Sequence, residues 1–147
     1  MHYGTIFGVY EKQVYSGNAD AGFILHGNPY FTPSRTVTGH NFDLGSGTVI
    51  TLAQYSDVYI KGCKSGCKIG TVQLTNMTIT STSGITLSDM VYTNVSIVQG
   101  DSGGIVAGGG NSTQRYAADV IQAMDSSGKM FYCRAVNEIA ALNVLMY

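Results

Sequence analysis

"VQGDSGGIV", Val98–Val106, is the stretch on which the reading of this chain turns. Ser102 follows a carboxylate, Asp101, and stands between Gly100 and the pair Gly103-Gly104. A serine hydroxyl is a weak nucleophile near neutral pH, so it needs a base, and the oxyanion formed on attack needs aimed N–H donors. Without a side chain at Gly100 the backbone can turn its N–H and that of Ser102 toward one pocket, while Gly103 and Gly104 let substrate approach closely. The plainer alternative is a glycine-rich hairpin turn. Against it, the chance of these five residues arising in order from this composition is only about one in a thousand.

The rest of the chain supplies the context. At 147 residues it is long enough for one domain, or two small packed subdomains, with a core of its own. Charged residues are only 12% and there are 19 Gly, 10 Tyr and no Trp, a composition that excludes a disordered chain or a helical bundle and points to an all-β protein with many turns. A net charge of −1 without any basic run excludes a nucleic-acid footprint and an attraction to anionic membranes. No apolar run has the length of a membrane span, and Met1-His2-Tyr3-Gly4 lacks the basic and apolar regions of a secretory signal. Peptides and small molecules remain as ligands.

Segments rich in Val, Ile, Thr and Tyr, bounded by Gly, Ser and Asn, predict strands at 4–14, 21–26, 47–51, 58–61, 70–82, 87–93, 104–107, 116–124 and 130–134. In "TVQLTNMTIT", Thr71–Thr80, one bulge brings Val72, Leu74, Met77 and Ile79 to buried positions. "AVNEIAALNVLMY", from Ala135, predicts the only helix, with an apolar stripe of Val136, Ile139 and Ala140 and with Asn137 and Glu138 near its start. The turn-rich region 27–47 separates two β units, 1–45 and 46–147. Three thiols, Cys63, Cys67 and Cys133, are too few for a disulfide framework, and C-x3-C with one distant cysteine is a poor zinc pattern. A local Cys63–Cys67 disulfide and three free thiols both stay open, and neither metal nor cofactor is implied. Sequons at Asn76, Asn94 and Asn111 are partly expected by chance in so Thr-, Ser- and Asn-rich a chain.

"GDSGG" together with its flanks resembles the chymotrypsin-like serine proteases, in particular the short secreted bacterial branch of alpha-lytic protease and streptogrisin type. "KSGCKIGTVQLTNMTIT", Lys64–Thr80, is similar to that branch's Ser-Gly and Gly-Thr-Val strand before the nucleophile loop, and "FYCRAVNEIAALNVLMY", Phe131–Tyr147, to its closing strand and helix. The resemblance implies a double antiparallel β-barrel ending in a short helix and a serine endopeptidase with Ser102 as nucleophile. Gly100, Asp101 and Gly103 then belong to the oxyanion and substrate-binding loop, with the Gly100 and Ser102 N–H groups as donors. The fold orders its triad as His, Asp, Ser. "SGNADAGFIL", Ser16–Leu25, resembles the aspartate segment and makes Asp20 the acid that orients and stabilises a histidine. Asp57 is too close to Ser102 to fill that place. Ala123, in "YAADVIQAM", stands near the wall of the primary pocket where the family has a serine-containing segment. Ser96, where trypsin-type enzymes carry an acid, gives no sign of a preference for Lys or Arg.

The family's histidine lies in a Thr-Ala-Gly-His segment well before the aspartate, and counting back from Asp20 leaves the chain. His2 is too close to Asp20, His26 closes the following strand, and His40, in "TVTGHNF", falls after Asp20. The expectation is therefore a first barrel lacking the strand that carries the base. Peptide or protein is the substrate, and the missing N-terminal segment or a second copy of the chain is the partner completing the barrel. A catalytically inactive protease-like binding module is the alternative function, and an unrelated β-sandwich with a chance GDSGG the outlying one. The resemblance further implies an extracellular or cell-surface location.

Overall fold

A computed structural model describes residues 8–30, 32 and 34–144. His2 and residues 4–7 of the first predicted strand lie outside these described residues, as do 145–147 at the end of the predicted helix.

The described chain forms a two-stranded and a nine-stranded sheet. β1 (Gly8–Ser16) and β2 (Ala19–His26) make an antiparallel hairpin. Its two-residue turn opens on Gly17 at φ 64°, a left-handed value that glycine adopts without steric cost and that matches the twist of the flanking strands. The larger sheet is built from β3 (Thr36–Val37), β4 (Phe42–Val49), β5 (Asp57–Gly62), β6 (Gly66–Thr80), β7 (Thr86–Ser96), β8 (Ile105–Gly108), β9 (Gln114–Val120), β10 (Ala123–Met124) and β11 (Lys129–Tyr132). Its order is β10-β11-β7-β6-β5-β8-β9-β4-β3, antiparallel except where β4 runs parallel to β9. One helix, α1 (Ala135–Leu142), follows β11 and packs on the β1–β2 hairpin. The separation between the two sheets falls between His26 and Thr36.

The sheet packs around inward-facing β-branched side chains: Val58 and Ile60 from β5, Val72 from β6, Val91 from β7, Val106 from β8 and Ile121 after β9. Each is at most 1% exposed, a burial that contributes about 1.5–3 kcal/mol per side chain. Leu87, Met90, Phe131 and Cys133 form a second cluster on which Met77 and Ile79 pack.

Two sequence expectations are corrected here. β6 meets β7 through three register shifts rather than one bulge, and the first, between Val72 and Leu74, turns Leu74 outward to 45% exposure. At Asn76 the backbone is left-handed, φ 58°, which an Asn tolerates better than most residues. The helix hides Ala135, Glu138 and Leu142 instead of a Val136–Ala140 stripe, and Val136 is 42% exposed. It stops at Leu142 because Asn143 takes an αL conformation and returns its N–H to the Ala140 carbonyl. Cys63, Cys67 and Cys133 are all free thiols in this structure.

Candidate active site

The GDSGG loop hangs between β7 and β8 and is anchored by the residue beside the serine. Asp101 is fully buried, and its carboxylate accepts the N–H groups of Lys64 at 2.7 Å, Ser65 at 2.8 Å and Val98 at 3.0 Å. Burial by itself raises the pKa of this carboxyl, but hydrogen bonds from Ser65 and from the Val98 and Lys64 N–H groups outweigh it and hold the group ionised far below the usual carboxylate range. Anchoring Asp101 sets the loop's shape. Gly100 lies at φ 98°, under the Lys64 stem, and Gly104 passes so near the Lys61 carbonyl that a Cβ there would stand 2.5 Å from it.

Backbone N–H groups in this loop divide into engaged and unengaged ones. Those of Asp101, Gly103 and Gly104 donate to the carbonyls of Val98, Ile121 and Asp101. Among the described residues, the N–H groups of Gly100 and Ser102 donate to no acceptor. Ser102 itself is exposed, and its hydroxyl donates to the Gln122 carbonyl at 3.4 Å.

Gln122 is the residue that sequence reasoning missed. Its backbone carbonyl faces Ser102, while its side-chain Nε2 donates to the Asp20 carbonyl at 2.9 Å, to Glu138 at 2.5 Å and to Asp119 at 3.4 Å. Its Oε1 accepts the Cys133 N–H at 2.7 Å. The nucleophile candidate and the segment of the acid candidate are thus tied through one glutamine. Ser102 and Asp20 also line a common cavity of about 840 Å³ between the β1–β2 hairpin, β9 and α1, walled by Val14, Ile24, Val120 and Leu142. Burial raises the pKa of Asp20 above the ordinary carboxylate value. A second cavity of about 610 Å³ opens from the same serine toward the β5–β6 turn.

Behind Gln122 lies a buried acid pair. Burial first, then the neighbouring Glu138, drives the Asp119 carboxyl far up, and burial also raises Glu138. With Cys133 they form the described group nearest to a metal-ligand arrangement, their ligand atoms lying within 4.8 Å of one another. The Gln122 amide engages Asp119 Oδ2 and Glu138 Oε1 while Asp119 Oδ1 has no partner, and burial, followed by the Asp119 charge, pushes the Cys133 thiol up to about 12.

The other sequence candidates fall elsewhere. Ala123 lines neither cavity; it pairs with Phe131 and packs on the second hydrophobic cluster. His40 donates through Nε2 to the Ile60 carbonyl at 2.6 Å and sits between the Phe42 and Tyr59 rings, so it is engaged away from Ser102. Asp57 starts β5, whose far end at Gly62 adjoins Asp101, about 16 Å along a strand. At Ser96, Lys129 donates to the hydroxyl at 2.8 Å and Lys68 to the carbonyl at 2.6 Å. The side chain of His26, at the end of β2, lies outside what is described.

No protein-family model matches the chain, and no curated protein matches it in sequence. Solved structures do match. A glutamic-acid-specific serine protease that uses a histidine triad in substrate binding superposes with a TM-score of 0.79 at 19% identity, over 98% of this chain and 75% of that one. The chymotrypsin of Cellulomonas bogoriensis gives 0.78 at 21% identity, over 95% and 75% of the two chains. A Nocardiopsis protease gives 0.72 at 28% identity, over 95% and 73%. The fold is that of the chymotrypsin-like serine proteases. Within the chymotrypsin-like fold, the all-β architecture and closing helix expected from the sequence are both present.

Proposed function

We propose that the chain is a serine endopeptidase, or the greater part of one, in which Ser102 attacks a peptide carbonyl and Asp20 orients the base. The observation that supports it most is the link through Gln122, which ties Ser102 to the Asp20 segment at the edge of a cavity both residues line. In this reading the Ser102 hydroxyl bonds to the carbonyl carbon while its proton passes to an imidazole. The developing oxyanion takes the free N–H groups of Gly100 and Ser102, and Gly103 and Asp101 keep the loop in shape. The imidazolium returns the proton to the leaving amine, and water then releases the acyl group from Ser102. His40 is occupied elsewhere, so the imidazole enters the 840 Å³ cavity from a segment outside the described residues or from a second chain. An extracellular or cell-surface location belongs to the same reading.

The test is serine labelling with a fluorophosphonate, in plain buffer and with added imidazole, a base small enough for the cavity. Labelling that rises with imidazole and vanishes in Ser102→Ala is the expected result. Absence of Ser102-dependent labelling under both conditions, in protein shown to be folded by circular dichroism, rejects the endopeptidase reading.

A further inference from the structure

The chain holds eight Lys and Arg residues, and their partners separate them into two groups. Five are engaged. Lys12 donates to the Leu142 carbonyl, Lys68 to that of Ser96, Lys129 to Asn94 and Ser96, Arg115 to Gly109 and Tyr59, and Arg134 to Asn76 and Asp89. The other three, Arg35, Lys61 and Lys64, have no hydrogen-bonding or ionic side-chain partner among the described residues. All three line the 610 Å³ cavity that opens from Ser102, together with Ser34 and Thr38. No carboxylate lines it. Two acids are close by in the chain, Asp101, buried under three N–H groups, and Asp43, which accepts the Thr36 hydroxyl at 2.7 Å, and neither lines the cavity. Three unneutralised cations around one concave surface raise the local concentration of anions and favour a carboxylate that reaches it. The Lys64 stem passes over Gly100, which brings its charge near the Ser102 loop.

We propose that this cavity is a carboxylate-binding subsite: it selects peptides that bring an Asp or Glu side chain, or a C-terminal carboxylate, to the Arg35–Lys61–Lys64 side of Ser102. The proposal rests on the reading of Ser102 as the point where peptide binds, but it does not need turnover.

Binding is therefore measured by fluorescence anisotropy on the Ser102→Ala protein, with capped octapeptides in which one Glu, or a Gln in its place, is moved along the sequence. A further pair ends in a free carboxylate or an amide. The Glu peptide should bind about tenfold more tightly than its Gln twin at one or two adjacent positions, and raising salt from 20 to 500 mM should erase most of that ratio, because screening shortens the reach of these charges to a few Å. If the free-acid pair shows the larger ratio, the ligand is a chain end; if the internal Glu does, it is a side chain. Lys61→Gln and Lys64→Gln, both at exposed positions, should each reduce the ratio severalfold without weakening the Gln peptides. Equal binding of every Glu and Gln pair overturns the subsite and leaves the peptidase reading intact. Failure of all peptides to bind removes the subsite together with the reading on which it rests.

Discussion

Asp101 and the Asp119–Glu138 pair are all carboxyl groups shut away from solvent on the two sides of the Ser102 loop, yet their surroundings settle their charge in opposite ways. Asp101 is met by three backbone N–H groups fixed by the β5–β6 turn and the end of β7, and it stays ionised. Asp119 and Glu138 share one Gln122 amide nitrogen that also serves the Asp20 carbonyl, Asp119 Oδ1 has no partner, and burial raises both carboxyls. A carboxyl taken from solvent thus stays an anion where donors are plentiful and has its pKa raised where they are scarce.

Removing the anion should have the largest consequence. Asp101→Ala orphans the Lys64, Ser65 and Val98 N–H groups and is expected to lower stability by about 3 kcal/mol in urea unfolding at pH 7. A loss under about 1 kcal/mol would mean that these bonds do not hold the loop. Next comes the donor on the other side. Gln122→Met keeps the length of the side chain but removes the amide and leaves the Cys133 N–H without its acceptor, at an expected cost of about 2 kcal/mol. The smallest effect is a gain. Glu138→Gln retains an oxygen for Gln122 while deleting one ionisable group, and it should add about 1 kcal/mol at pH 9 and little at pH 5.

The signs follow from the protons held in each state. Asp101 has a folded pKa below its unfolded value, so its contribution is complete above the ordinary carboxylate range and fades as pH falls below it. Asp119 and Glu138 have folded values above their unfolded 3.8 and 4.5, so their contribution is complete below those values and fades as pH rises toward the folded ones. Urea midpoints across pH should therefore fall on both flanks. Asp101→Asn should flatten the acidic flank alone and Glu138→Gln the alkaline one, and a swap of those assignments would overturn the comparison.

What the sequence disclosed is local: alternation and turn residues located most strands because β-branched side chains between glycines leave the backbone few alternatives. Phe42–Val49 was visible only at its end, since "FDLGSG" carries no alternation and the strand forms by pairing in parallel with β9, a partner far along the chain. The outward turn of Leu74 depends on where the bulges of β6 meet β7, which is a property of two strands together. The GDSGG loop stood out because its backbone needs glycine. Gln122 and Glu138 did not, because an amide in a loop and a glutamate in the first turn of a helix are ordinary residues until the fold places them against each other.

Lys12 reaches the Leu142 carbonyl across 130 residues, and the Gln122 amide reaches the Asp20 carbonyl across 102. Contacts between such distant parts of a chain are the slowest to form, since the loop they close must be ordered before they return anything. The hairpin bearing Asp20 pairs locally but gains its seat only when α1 packs on it. The wall that brings Asp20 to the cavity shared with Ser102 therefore depends on contacts among the last to close in folding.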